Sequence, residues 1–319
     1  MNSDWQPLAT REVLERRALL LRQIRSFMAE RRVLEVETPH LSQSAVTDPN
    51  LHSLTLAVRR PDADVTLRCY LHTSPESPMK RLLASGSGPI YQIARVYRGD
   101  ESGRIHNPEF TLLEWYHPEF DHARLMDEVA ELLQSLGITV AGRTTYGQAF
   151  MDKVGLDPHD VDTDCLVRRA AALGFLSEPA DDGALLDFLF SELVVPSLGR
   201  EGAVFVHDYP VHQAALARIR PGKPPVAERF ELFINGMEIA NGFHELTDAT
   251  EQRRRFERDN KRRRATNLPA MPMDEHLLQA LAHGLPDCAG VALGVDRLLM
   301  VLCGATRLDQ VLAFPFDRA

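Results

Sequence analysis

The stretch Phe230-Glu231-Leu232-Phe233-Ile234-Asn235-Gly236-Met237-Glu238-Ile239-Ala240-Asn241 decides the architecture of this 319-residue chain. Asn-Gly between two apolar, β-favouring runs is the strongest short-range hairpin signal. A two-residue type I′ turn needs positive φ at both central positions, and these two residues tolerate it best. The stretch therefore predicts antiparallel strands over 230–234 and 237–241. A plain hairpin sets Ile234 opposite Met237, Phe233 opposite Glu238, and Glu231 opposite Ala240. Glu231 and Glu238 then share one face as diagonal neighbours, about 7–8 Å apart at Cβ. Two like charges so placed repel unless a cation sits between them. Hard oxygen ligands on a rigid sheet suit Mg²⁺ carrying phosphates. On the hairpin alone, a metal site and two solvated surface glutamates are equally good readings.

Working outward, a second antiparallel hairpin is predicted from strands over 90–98 and 109–116. Phe110, Leu112, Glu114 and Tyr116 fall on one face there, and Arg98 shares a face with Asp100. A guanidinium suits phosphate because its planar fork donates two parallel hydrogen bonds. Glu114, set among Leu112, Leu113 and Trp115, needs a partner, since an unpaired buried carboxylate is costly. Further strands are predicted over 33–39 (stopped by Pro39), 54–58, 65–71 and 203–207. Thr10 caps a first helix, with Glu12 in its first turn and Leu14, Ala18, Leu21, Ile24 and Met28 at helical spacing. Helical patterns also run from 77 to about 84, over 121–136, 163–173 and 183–195, and from 251 to about 266. Gly290 to Val295 reads as a glycine-rich strand leading into an apolar helix from Leu298. Strands outnumber crossover helices and most connect as hairpins, which predicts an α+β fold, a mainly antiparallel sheet flanked by helices. Residues 142–225 are the least informative stretch and read as insertion-like within a single domain spanning 1–319.

Composition narrows the function classes. Hydrophobic residues are 44% and charged residues 25%, an ordinary globular balance. The best apolar run, from Gly290 to Ala305, carries Asp296 and Arg297 in its middle, so no membrane span is expected. Met1 to Thr10 has no apolar segment of a signal peptide. Cys69, Cys165, Cys288 and Cys303 are scattered, which suggests neither a zinc cluster nor a disulfide framework and fits a reducing, cytoplasmic setting. The net charge of −9 argues against nucleic acid as the main partner. Residues 253–264 hold eight basic side chains, read as a solvated helix face. Arg297 at a helix start can reinforce an anion site, although taken alone it reads better as half of a structural Asp296–Arg297 pair.

Together these segments resemble the three signature motifs of class II aminoacyl-tRNA synthetases. The helix ending Arg31-Arg32-Val33-Leu34-Glu35-Val36-Glu37-Thr38-Pro39 is similar to motif 1, with Pro39 as its proline. Tyr97-Arg98-Gly99-Asp100 with His106-Asn107-Pro108-Glu109-Phe110 is similar to motif 2, and Gly290-Val291-Ala292-Leu293-Gly294-Val295-Asp296-Arg297 to motif 3. Glu114-Trp115-Tyr116 and the run from Glu238 to Leu246 resemble lysyl-tRNA synthetase segments. The likeness covers the chain from about residue 10 onward, without an anticodon-binding domain. That combination resembles the short lysyl-tRNA synthetase paralogues that attach (R)-β-lysine to a lysine of elongation factor P.

The resemblance implies an ATP-dependent ligase that forms an aminoacyl-adenylate with Mg²⁺. It implies that Arg98 holds the α-phosphate, that Phe110 stacks on adenine, and that Arg297 and His106 sit by the β- and γ-phosphates. Gly99, Asp100, Asn107, Glu238, Ile239 and Gly294 complete the ATP site, and Glu231 with Glu238 holds the metal. Arg98 and Arg297 are the catalytic pair. Ser74, Pro75, Glu76, Glu114, Tyr116, Asn241 and Glu245 bind the amino acid. Glu76 and Glu245 select a dicationic substrate, because a neutral side chain leaves a buried charge unpaired. Motif 1 implies a homodimer. Asp100 stands where motif 2 usually has glutamate, and Ala240 and Ala292 stand where lysyl-tRNA synthetases usually have glycine. Glu245 has the wrong parity to share a face with Glu238 on a plain strand, so a bulge or a strand end near Gly242 is required. Two rivals stand beside this reading: a tRNA-acylating enzyme working without an anticodon domain, and a non-catalytic synthetase-like binding protein.

Overall fold

The computed structural model describes residues 5–60, 63–175 and 182–319. In chain order the elements are α1 (Arg11–Glu30), β1 (Leu34–Glu35), β2 (Leu41–Ser42), β3 (Thr55–Arg60), β4 (Val65–Leu71), α2 (Glu76–Ala84), β5 (Ile90–Tyr97) and β6 (Glu109–Pro118). Then come α3 (His122–Ser135), β7 (Val140–Thr145), α4 (Tyr146–Val154), α5 (Thr163–Ala171), α6 (Asp182–Leu189), β8 (Ala203–Pro210), β9 (Ile219–Arg220), β10 (Val226–Ile234) and β11 (Met237–His244). The chain closes with α7 (Ala249–Ala265), α8 (Glu275–Gly284), β12 (Cys288–Gly294) and α9 (Val295–Cys303). These fall into two compact units. One comprises residues 1–119, 247–288 and 292–319, the other 120–246 and 289–291.

In the first unit β5 pairs antiparallel with β6 and parallel with β1. A small second sheet sets β4 between β2 and β3, all antiparallel. Helices α2 and α8 pack through Met79 and Leu83 against Leu277, Leu278 and Leu281. Thr10 caps α1, accepting from the Val13 amide, as the sequence predicts. The buried stripe of α1 is Leu20, Ile24, Phe27 and Met28, at i, i+4, i+7 and i+8, while Leu14 is exposed. The predicted strand over 33–39 shrinks to two paired residues, Leu34 opposite Ile90 and Glu35 opposite Tyr91.

In the second unit β10 lies between β11 and β8, both antiparallel, and β7 adds to β8 in parallel. The uninformative stretch supplies most of the core here. Tyr146, Phe150, Leu186, Leu189, Phe190, Val206 and Phe233 bury one another. Helix α4 and strand β7 carry no clean period in the sequence. Residues 176–181 of that stretch lie outside the described residues, as do 1–4 of the N-terminal segment. No helix among the described residues is long and apolar enough to cross a membrane.

The β10–β11 turn is type I′, with Asn235 at φ 54° and Gly236 at φ 71°. Ile234 faces Met237 and Phe233 faces Glu238, as the Asn-Gly turn dictates, but Glu231 faces Asn241, not Ala240. The register slips by one residue between Leu232 and Phe233, so β11 carries an extra residue, Ile239. Such a bulge reverses the facing of everything beyond it. Past the bulge, position 242 is glycine because a Cβ there would collide with the Phe230 ring and stand 3.0 Å from the Gly290 carbonyl oxygen.

Candidate active site

The bulge has a chemical consequence within the second unit. On β10, Arg229, Glu231 and Phe233 share one face. Their partners on β11 are Phe243, Asn241 and Glu238. Glu231, Glu238 and Asn241 therefore share that face, and the parity that excluded Glu245 on a plain strand is restored. The bulge required near Gly242 is present three residues earlier, at Ile239. Glu231 is buried and ion-paired with Arg229. Burial drives its carboxyl up to about 7; Arg229 opposes this and the charge of Glu238 adds to it. Arg229 is half of this arrangement, and its alternation with Glu231 was the signal in the sequence. Asn241 turns an enclosed Oδ1 toward no hydrogen-bond partner, and Glu245 is fully buried. Ile239 and Ala240 are buried in the same strand.

A second cluster forms in the first unit, where the start of α2 meets β6. The Ser74 hydroxyl donates to Glu114 Oε2 at 2.8 Å and accepts from the Glu76 amide at 3.0 Å. Pro75 caps α2 without a side-chain bond. The Tyr116 hydroxyl donates to Glu114 Oε1 at 2.7 Å, as the shared strand face predicts. Glu114 is only 2% exposed. Burial pushes its carboxyl up to about 7, and nearby Glu76 adds to this; the two hydroxyls and Lys80 pull it down. Lys80 escaped the sequence reading. Its ammonium, 2% exposed, meets Glu76 Oε1 at 2.6 Å. The i,i+4 spacing on a short helix was the available signal. Two carboxylates thus share one internal cation, an arrangement that favours a further ammonium.

The third group surrounds Arg98. Its guanidinium lies 5.0 Å from the Phe110 ring centre and pairs with Glu101 at 3.2 Å. The expected facing of Arg98 and Asp100 is not found. The chain turns after β5, so Asp100 is largely exposed and pairs with His52, while the Gly99 amide bonds to the His52 carbonyl. The structural Asp296–Arg297 pair is likewise absent. Asp296 is buried, ion-paired with Arg17, and accepts from the Thr111 amide at 2.7 Å. Arg297, in the first turn of α9 after the cap Gly294, points its Nε to the Ile105 carbonyl at 3.4 Å. His106 closes a short bridge with Gly103. Asn107 has both ends engaged, donating to the Glu109 carbonyl and accepting from the Phe316 amide.

Of the 253–264 run, read as a solvated face, Arg255 and Arg263 are buried. Arg263 donates to the backbone carbonyls of Pro269 and Asp48. Those two arginines hold the fold.

Comparison with known proteins adds the lineage. The family description "tRNA synthetases class II (D, K and N)" matches residues 4–318. A Vibrio cholerae protein named elongation factor P–(R)-beta-lysine ligase is 50% identical over 322 residues, covering 100% of this chain and 99% of the relative. The Edwardsiella ictaluri protein of the same name is 51% identical, covering 99% of each. The motif residues, the antiparallel sheets and this match over nearly the whole length agree, and the chain belongs to the class II tRNA synthetase family.

Proposed function

We propose that this chain activates (R)-β-lysine with ATP, releasing pyrophosphate, and transfers the aminoacyl group to a lysine side chain of elongation factor P. The observation that carries the reading is the Ser74–Glu76–Lys80–Glu114–Tyr116 cluster. It has one buried cation for two carboxylates, Glu114 buried and Glu76 half-buried, and two hydroxyls already aligned on Glu114. An entering ammonium brings Glu114 back to its ionised form, and a neutral side chain leaves that carboxylate uncompensated.

In the first step the substrate carboxylate attacks the α-phosphorus of ATP. Arg98, steadied by Glu101 and lying against the Phe110 ring, binds the phosphate on which charge gathers, and Arg297 binds the departing pyrophosphate. Phe110 carries the adenine. Catalysis is positioning and charge stabilisation, with no side-chain nucleophile. Glu231 and Glu238 suit Mg²⁺: they share a face, and burial together with mutual repulsion already raises the Glu231 carboxyl. The ion, when bound, neutralises phosphate charge. In the second step the acceptor amine attacks the adenylate carbonyl and AMP leaves.

The names of the relatives support elongation factor P as acceptor over tRNA, and the net charge of −9 agrees. The protein works in the cytoplasm as a homodimer built on the motif 1 elements, where Leu14, Leu19 and Leu34 are exposed. Incubation with ATP, labelled (R)-β-lysine and either elongation factor P or tRNA tests the reading. Label should appear on a lysine of the protein; label on tRNA alone overturns it.

A further inference from the structure

The second unit holds another cluster, on the opposite face of the β10–β11 hairpin from Glu231 and Glu238. Glu228 and His244 alternate away from Arg229 and Phe243, and His122, the first residue of α3, packs against them. The ligand atoms of His122, Glu228 and His244 all lie within 4.8 Å of one another, and all three residues are buried. We propose that they form a zinc site, separate from the magnesium carboxylates, that ties the start of α3 to the hairpin.

Three observations carry it. His122 Nδ1 is fully enclosed and has no hydrogen-bond partner, and a bare buried lone pair is costly unless something binds it. Its other nitrogen, Nε2, faces Asp208 Oδ1 at 3.7 Å. That contact is an electrostatic one, longer than a hydrogen bond, and a carboxylate on that side favours the proton on Nε2, which leaves Nδ1 as a lone pair. On the second arm, His244 Nδ1 lies 2.6 Å from Glu228 Oε2. Arg220 engages Glu228 through its other oxygen, Oε1, at 3.4 Å and holds Asp208 Oδ2 at 2.8 Å. An Arg220-centred ion-pair network therefore accounts for the outer oxygens, Glu228 Oε2 and His244 Nδ1 meet each other, and the enclosed His122 Nδ1 is left without a hydrogen-bond partner. Two imidazoles and a carboxylate are a common zinc set, with metal–ligand distances of about 2.0–2.2 Å. Ligand atoms around such an ion stand roughly 3.3 Å apart. The His122 and His244 rings stand 6.4 Å apart at an interplanar angle of 22°. Among divalent first-row ions this donor set binds zinc more tightly than iron or manganese.

The full-length protein, stripped with a chelator and dialysed, is titrated with Zn²⁺ against a chromophoric competitor. One equivalent should bind. His122→Phe, which keeps a ring in place, should weaken it at least about a hundredfold, while Glu231→Gln leaves it unchanged. Zinc-edge X-ray absorption on the wild-type protein guards against misfolding of the variant and should show two imidazole ligands. Absence of a stoichiometric ion overturns the assignment. So does affinity that follows Glu231→Gln instead of His122→Phe, or a spectrum with fewer than two imidazoles.

Discussion

Replacing Glu114 by Gln should make the protein less active and, above neutral pH, more stable. In the folded chain burial lifts this carboxyl from 4.5 to about 7. The folded state therefore keeps a proton that the unfolded chain has lost across pH 4.5 to 7. Glu114 costs almost nothing below that window, and its cost grows as pH rises through it. Integrated between pH 5 and pH 8, the cost is about 2–3 kcal/mol. Glutamine does not titrate, and its altered hydrogen bonds to Ser74 and Tyr116 are the same at both pH values, so they cancel from the difference. Glu231 titrates similarly in both proteins and cancels too. The stability of Glu114→Gln relative to wild type should thus rise by about 2–3 kcal/mol from pH 5 to pH 8. Urea unfolding at the two pH values measures this, read by the fluorescence of Trp115, which is buried beside Glu114, whereas Trp5 is exposed. A difference independent of pH, or of opposite sign, refutes the argument that Glu114 is held ready for a cation.

Three further outcomes are expected. Glu238→Gln should lower kcat/KM for adenylate formation about 10²–10³-fold and raise the Mg²⁺ concentration for half-activity; an unchanged Mg²⁺ dependence counts against the metal assignment. Gly242→Ala forces a methyl into the Phe230 ring and should cost about 1–3 kcal/mol, with part regained by adding Phe230→Leu; thermal unfolding of the single and double variants decides this. Arg17→Met strands the buried carboxylate of Asp296 and should cost about 3–5 kcal/mol. Adding Asp296→Asn should return some of that in denaturant unfolding, and a double variant no better than the single argues that the pair is not coupled.

The turn chemistry of Asn235-Gly236 and the period-2 patterns of β5, β6 and β10 were legible from the chain, because each is a local property. The same locality explains what was missed. The bulge at Ile239 leaves no mark in composition, yet it decides which of Ala240 and Asn241 shares a face with Glu231. Partner choice was equally hidden. Asp296 turns to Arg17, 279 positions away, and Arg98 to Glu101 instead of Asp100, since the turn after β5 sets which carboxylate is near. Beyond its spacing from Glu76, nothing local marked Lys80, whose part comes from its burial against that carboxylate. Helix α4 and strand β7 were invisible because their apolar residues follow the demands of a shared core rather than a clean period.

Amino-acid-dependent exchange of labelled pyrophosphate into ATP tests the central claim most directly. The account predicts exchange that requires Mg²⁺, is faster with (R)-β-lysine than with a neutral β-amino acid of equal length, and is abolished by Arg98→Ala. Failure of any lysine isomer to support exchange in the folded wild-type protein, with Mg²⁺ in excess, contradicts it.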